Sequence, residues 1–467
     1  MTSLFRFFSV YFPPKLNLPI AEQRKMWLVN FLKAFGVVLI AYMAMYLIRN
    51  NFKASSGMLK DQLGFTTTQL GQIGLAFSIT YGIGKTLIGY FADGKNSKRL
   101  ISALLILSAL TVLIMGIILS THGHAMGFLL LLWGLNGLFQ SAGGPISYAT
   151  ITKWAPRSQR GRWLGGWNTS HNIGGAIAGI IALWGANLLF AGHVYGMFIF
   201  PALIALGIGI ATLFIGHDSP EEMGMERSEI LFGEPIVKED LDATELRKWK
   251  VFTTYILFNK WIWLLCAANI FVYVVRIGVD NWAPLYTKEM FNFTPSQQVN
   301  TIFYFEMGAL IASLTWGYIS DLMGGRPALV AALCLLVTFV GVWGYHHSSS
   351  PLTVNLFLVL LGSLIFGPQL LINVSTICFV PKKAITVTSG TSGTFGYLFG
   401  DSMAKIGLAV IADPKSTGLT IFGHLLHGWN ATFEVLYLAI ACGVILLGIV
   451  AYEENRKNKK CLCNTKI

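Results

Sequence analysis

VVLIAYMAMYLIR (residues 37–49) and LLCAANIFVYVVR (264–276) each read as the interior of a membrane-spanning helix, and each ends in an arginine. These two, Arg49 and Arg276, stand 227 positions apart in a chain of 467. A guanidinium in hydrocarbon costs about 2.5 to 3.5 kcal/mol even on the most lenient insertion scale, and it cannot escape by deprotonating. Two such residues at half-chain spacing point to equivalent places in two halves, and to one site between the halves built for an anion.

Apolar runs of about 20 residues, the length that crosses some 30 Å of hydrocarbon as helix, recur along the whole chain. Twelve are expected, near residues 29–49, 67–91, 100–120, 126–150, 163–186, 194–215, 261–285, 299–320, 327–346, 353–378, 386–411 and 433–452. With 54% hydrophobic and only 12% charged residues, the composition excludes an ordinary soluble domain, in which about a quarter of residues are charged. The runs are continuous rather than alternating, which excludes a closed barrel. The expected fold is an all-α polytopic membrane protein: a leading segment at 1–28, a six-helix bundle at 29–216, a linker at 217–260, a second six-helix bundle at 261–452 and a tail at 453–467. The leading segment carries Pro13-Pro14 and lacks a small-residue cleavage site, so no removable signal peptide is expected.

The net charge of +12 is distributed as an orientation signal. If the amino terminus is inside, inner loops and tails hold 25 of the 34 Lys and Arg. The outer loops hold four (Lys53, Lys60, Lys288 and Lys415), and Lys33, Arg49, Lys85, Arg276 and Lys405 fall within spans. By the positive-inside rule both termini are expected in the cytoplasm, and no nucleic-acid partner is needed to explain the basic balance. Cys266, Cys334, Cys378 and Cys442 fall in expected spans and Cys461 and Cys463 in the tail, so no disulfide framework is implied. No P-loop, acidic metal cluster or Ser-His-Asp spacing is present; no metal, cofactor or enzymatic activity is expected.

The halves repeat. GYFAD at 89–93 returns as GYISD at 317–321, and Pro156-Arg157 returns as Pro381-Lys382. Features at one period near 227 argue for duplicated six-helix bundles related by an axis along the membrane normal. In each repeat an aspartate at the inner helix end is followed by basic residues: Asp93 with Lys98 and Arg99, Asp321 with Arg326. Such charges form a candidate latch that must break when that side opens; the plainer alternative is that the aspartates end helices in water.

The duplicated G-x-x-x-D-x-x-x-x-[RK] pattern resembles the signature of the major facilitator superfamily, and the chain more specifically resembles its organophosphate:phosphate antiporters. The resemblance runs from Arg24 to the last span and is carried by MYLIRNNF (45–52), FSITYGIGKTLIGYFADGKN (77–96), SHNIGGA (170–176), GHVYGMFIFP (192–201), SPEEMG (219–224), GPQLLI (367–372), FVPKKA (379–384) and GDSMAKIG (400–407), with the long stretch at 259–282. It implies uptake of a sugar phosphate in exchange for inorganic phosphate across a bacterial inner membrane, by a monomer using alternating access. It assigns phosphate binding to Arg49 and Arg276, places Lys85 near the phosphate pathway, and matches His171 to a histidine of the fifth helix. Hexose-phosphate members carry an aspartate and a lysine early in helix eleven; Ser389 and Ser392 occupy those positions here. The substitution leaves glycerol phosphate or phosphoenolpyruvate open as alternatives.

The chemistry agrees. A phosphate monoester carries about −1.5 to −2 at neutral pH, and guanidinium groups meet it with bidentate bonds where lysine offers a looser point charge. Other readings stand beside these. Arg49 can snorkel towards the near interface, Arg276 can pair with Asp280 one turn on, and Lys85 can pair with a carboxylate such as Glu306. His171 can serve helix packing. Asp401 and Lys405, four residues apart, suit a structural ion pair. At the level of function, a membrane sensor of external sugar phosphate would share most of these motifs, and a proton symporter would use Asp280, Glu306 and Asp401 as carriers.

Overall fold

In this computed structural model the described residues are 7–92, 94–234, 248–324, 326–376, 378–380, 385–421 and 423–464. Asp93 and the Pro381-Lys382 pair of the repeat lie outside them. In chain order the helices are α1 (Ile20–Ala54), α2 (Ser56–Leu63), α3 (Thr67–Ala92), α4 (Ser97–Thr121), α5 (Met126–Gln140), α6 (Gly143–Trp154), α7 (Arg157–Leu189), α8 (Gly196–Phe214), α9 (Ser228–Leu231) and α10 (Lys248–Tyr255). There follow α11 (Lys260–Phe291), α12 (Pro295–Leu322), α13 (Pro327–His346), α14 (Pro351–Thr376), α15 (Ile385–Phe395), α16 (Leu408–Ala412) and α17 (Gly428–Asn464). Eleven helical stretches among the described residues are long and apolar enough to cross a membrane. α3 supplies a twelfth: its 26 residues span about 39 Å at 1.5 Å each, with Lys85 as the one charge. Helix is the natural state of these runs, because hydrocarbon offers no partner to a backbone N–H or C=O.

The chain packs as two compact units, Met1–Phe52 with Ile83–Thr244 and Lys53–Gly82 with Glu245–Ile467. The end of α1, all of α2 and the first half of α3 thus pack with the second half of the chain. Lys53 is not the loop residue expected from its sequence: α1 continues five residues past Arg49 and buries it.

Interruptions of the helices are local and traceable. The expected fourth span is split between α5 and α6 at Ser141 and Ala142, where Ser141 Oγ donates to the Leu138 carbonyl at 2.7 Å. The eleventh is π-helical at Gly396–Asp401 and Met403–Gly407, between α15 and α16; such wide turns in a long helix commonly mark functional positions. A short antiparallel hairpin, β1 (Leu419–Ile421) with β2 (His424–Leu426), precedes α17. With no hydrophobic drive between helices in lipid, close packing falls to small residues. Gly308 of α12 and Gly362 of α14 show this reciprocally: a Cβ on either would lie about 2 Å from a backbone carbonyl of the other helix, that of Val359 or Phe305.

Candidate functional site

In the first unit Arg49 follows a break in α1. Ile48 leaves the helical region (φ −96°, ψ 16°), and its carbonyl accepts Asn136 Nδ2 at 3.2 Å. Asn136 is itself fixed, since its Oδ1 accepts Ser108 Oγ at 2.5 Å and Gln140 Nε2 at 2.9 Å, while Gln140 also donates to Ser108. All three polar side chains are buried. The half-buried Arg49 guanidinium sits 5.0 Å from the Tyr46 ring centroid, a cation–π distance. The His171 ring lies 5.5 Å from the same ring. Arg49 and His171 are therefore both brought next to one tyrosine. Gly174, one turn beyond His171, lets α7 approach α1: a Cβ there would lie 2.6 Å from the Met43 carbonyl. Lys85 is half-buried on α3.

In the second unit Arg276 is buried on α11. Its Nη1 donates to Gln369 Oε1 at 2.7 Å, and its Cζ lies 4.1 Å from the Phe366 centroid. Gln369 Nε2 donates to the Tyr273 hydroxyl at 3.2 Å. One turn along α14, Asn373 Nδ2 donates to the Gln369 carbonyl at 3.1 Å, and Ser389 Oγ donates to Asn373 Oδ1 at 3.3 Å. Ser389 thus connects through α14 to the surroundings of Arg276. Ser392 does something different. It is fully buried, and Asn269 Nδ2 donates to its carbonyl at 2.9 Å and its hydroxyl at 3.2 Å.

Asp280 carries its ion pair with Lys53 Nζ at 2.5 Å, and Glu306 lies 3.9 Å from the same ammonium. Further along, Lys60 pairs with Glu289, Lys288 with Asp61, and Trp429 Nε1 donates to Glu289 Oε2 at 2.8 Å. Lys405 Nζ lies 3.1 Å from Asp401 Oδ2 and donates to Ser78 Oγ at 2.9 Å. These charges pair with one another around Lys53, Lys60, Lys288 and Lys405.

Among the expected latch residues, Asp93 lies outside the described residues, as does the Asp321 side chain; Arg326 is exposed at the start of α13. The Lys98 amide donates to Asp218 Oδ1 at 3.1 Å and its Nζ to the Leu213 carbonyl at 2.6 Å. Arg99 Nη2 lies 3.4 Å from Glu222, and Lys153 Nζ lies 2.5 Å from Asp218. The acids following α8 are thus part of this cluster, and sequence reading had not singled them out. Gln369, Asn136 and Lys53 were missed as well. Gln369 sits inside the quoted GPQLLI, and a polar residue directly after a proline in an apolar run was the available sign. No group of three or more His, Cys, Asp or Glu placed to hold a metal ion occurs among the described residues.

The eleven membrane-length helical stretches among the described residues, together with α3 and with an arginine in each unit, define a polytopic membrane fold, and the sequence matches the family model described as Major Facilitator Superfamily over residues 38–402. The chain belongs to that superfamily. It is 48% identical over 451 residues to the hexose-6-phosphate:phosphate antiporter of Escherichia coli K12, with 96% of each chain covered. It is 32% identical to the phosphoglycerate transporter protein of Salmonella typhimurium, with 91% of each covered. The fold also matches an inward-facing bacterial homologue of the human lysosomal transporter Spinster (TM-score 0.68, 16% identity, 92% of this chain and 97% of that one).

Proposed function

We propose that this chain exchanges an external hexose phosphate for internal inorganic phosphate by alternating access, with Arg49 and Arg276 binding the phosphate group of either partner. The observation that carries the reading is the pair of arginines at the repeat period, each seated on an aromatic ring in a membrane helix, in a chain 48% identical to a hexose-6-phosphate:phosphate antiporter. Because inorganic phosphate and a sugar phosphate present the same dianionic head, one set of guanidinium donors serves both. An empty cationic site resists closure, since its charges must then be desolvated without a counter-ion; that favours exchange over net flux. Lys85 and His171 contribute to the phosphate pathway, Ser389 and Ser392 to selection of the organic part, and Lys98, Arg99 and Arg326, with Asp93 and Asp321, to a latch at the inner face. Asp401 with Lys405 holds the eleventh span. Both termini lie in the cytoplasm, the membrane is the bacterial inner membrane, and the chain works as a monomer without enzymatic activity or cofactor.

Purified protein in phosphate-loaded vesicles tests the reading. External labelled glucose 6-phosphate enters only when phosphate is inside, and collapse of the pH gradient leaves the exchange unchanged. Binding without exchange turns the reading to a sensor. Preference for glycerol 3-phosphate or phosphoglycerate over glucose 6-phosphate in a competition panel reassigns the cargo within the same class.

A further inference from the structure

Two consecutive turns of α14 meet two consecutive turns of α11. Phe366 and Gln369 are three residues apart on one helix, Tyr273 and Arg276 three apart on the other, and the four side chains close on each other. The Phe366 ring centroid lies 4.1 Å from Arg276 Cζ, a cation–π contact that is only weakly directional. Gln369 Oε1, 2.7 Å from Nη1, adds the directional bond that orients the guanidinium.

The amide itself has one orientation. Arg276 only donates, so the oxygen must face it, and the nitrogen at the opposite end donates to the Tyr273 hydroxyl at 3.2 Å. The backbone beneath is also set. Pro368 has no N–H with which to reach the Leu364 carbonyl one turn back, and the Cys334 thiol donates to that carbonyl instead, at 2.9 Å. Asn373 then holds the Gln369 carbonyl from the following turn. The repeat offers no equivalent amide: at the offset of 225 that relates Pro156 to Pro381, position 144 is glycine. Arg49 is placed by the break at Ile48, whereas Arg276 is placed by a side chain.

We propose that Gln369 is the positioning residue of Arg276, holding the guanidinium in the direction from which it meets a phosphate group and thereby setting phosphate affinity. This rests on the reading of Arg276 as a phosphate ligand. The role makes a charge-sensitive prediction that packing does not. Gln369→Glu conserves shape but puts a carboxylate on the guanidinium, competing with the phosphate. Gln369→Met conserves most of the volume and removes the hydrogen bond.

The test compares wild type, Arg276→Lys, Gln369→Glu, Gln369→Met, Tyr273→Phe and the Tyr273→Phe/Gln369→Met double variant as purified full-length proteins in phosphate-loaded vesicles. KM and maximal rate are measured for labelled inorganic phosphate and for glucose 6-phosphate, together with thermal unfolding in detergent. Both Gln369 variants are expected to raise KM for both ligands by about tenfold or more, Glu more than Met, with maximal rates within about threefold and unfolding temperatures near wild type. Tyr273→Phe, acting through the same amide, is expected to add nothing in the Gln369→Met background. The proposal is overturned by KM values within about twofold of wild type in both variants. It is equally overturned by losses that track a fall in unfolding temperature, by failure of both variants to fold, or by additive effects of Tyr273→Phe. The outcomes separate from those of the underlying reading. A wild type that does not exchange, or an Arg276→Lys variant that does, removes phosphate binding by Arg276 itself; normal KM in Gln369 variants beside an inactive Arg276→Lys removes only the role of Gln369.

Discussion

Arg49 and Arg276 differ from their surroundings in what an alternative side chain would lose. Lysine at either position keeps the charge but gives up the planar fork that holds two phosphate oxygens at once. Arg49→Lys and Arg276→Lys are each expected to reduce phosphate exchange at least about a hundredfold, as expected from losing charge-assisted bonds to the dianion, with membrane insertion intact. Transport within a few-fold of wild type in vesicles would refute the assignment. These two residues were legible in the sequence because charge in hydrocarbon is rare and costly, so it stands out without any structure. Gln369 was not, since a neutral amide in an apolar run carries no comparable penalty and its value lies in a partner 93 positions away. Asp280 was legible as an acid within a span, with pairing to Arg276 as an alternative reading, whereas its partner in space was not. Arg276 is the neighbour along the helix, but Lys53 is the neighbour in space, at 2.5 Å.

At the scale of elements, most helices could be read to within about six residues, although α1 begins nine residues before and α17 ends twelve residues past the expected spans, whereas their interruptions could not. The break at Ile48 has no proline or glycine to announce it; it persists because Asn136, Ser108 and Gln140 from α4 and α5 supply a donor for the displaced carbonyl. Asn136→Leu removes that donor and leaves the buried Ile48 carbonyl unsatisfied, at a cost of about 1–3 kcal/mol. The expected result is a lower unfolding temperature together with a raised KM for phosphate, because Arg49 follows the break directly. A stability loss with KM unchanged would separate the break from the arginine. A second element boundary titrates. Asp413, beyond the end of α16, accepts the Thr68 amide at 3.0 Å at the start of α3 and the Lys415 amide at 3.0 Å. Burial alone would raise its carboxyl, but hydrogen bonds from Thr68 and Lys415 outweigh this and hold it below the ordinary value of 3.8. A lowered folded-state pKa means that its stabilisation is present above that ordinary value and is lost as pH falls through the lower folded one. Unfolding midpoints in detergent should therefore fall more steeply below about pH 4 in wild type than in Asp413→Asn, which already lacks the carboxylate at neutral pH.

At the scale of the whole molecule, the duplication read from the sequence would account for a pattern that sequence reading passed over. Lys53 and Asp280 are 227 positions apart, Asp61 and Lys288 also 227, and Lys60 and Glu289 229, all close to the period that separates the two arginines. If the halves are repeats related by an axis along the membrane normal, as the sequence suggests, positions on that axis meet their own repeats, as in an isologous interface. Opposite charges at one repeat offset were therefore a contact prediction available from the sequence alone. Their energetics set them apart from surface pairs. The Lys53, Asp280 and Glu306 side chains are 6%, 10% and 4% exposed, so removing the ammonium leaves two buried acids without its charge. Lys53→Met is expected to destabilise the protein by about 3–5 kcal/mol, and Asp280→Asn with Glu306→Gln added to it should restore most of that loss, because a neutral trio needs no counter-charge. Failure of the triple variant to recover its unfolding temperature would show that shape rather than charge holds this end together. In the proposed orientation this is the outer end, where substrate would enter; if these pairs close it, they must part in each cycle. Lys60→Cys with Glu289→Cys, bridged by a short bifunctional methanethiosulfonate, is then expected to stop phosphate exchange in vesicles, and reductant to restore it, while either single cysteine treated alike continues to exchange. Undiminished exchange by the bridged protein would mean that α2 travels with α11 throughout, and that the opening lies elsewhere.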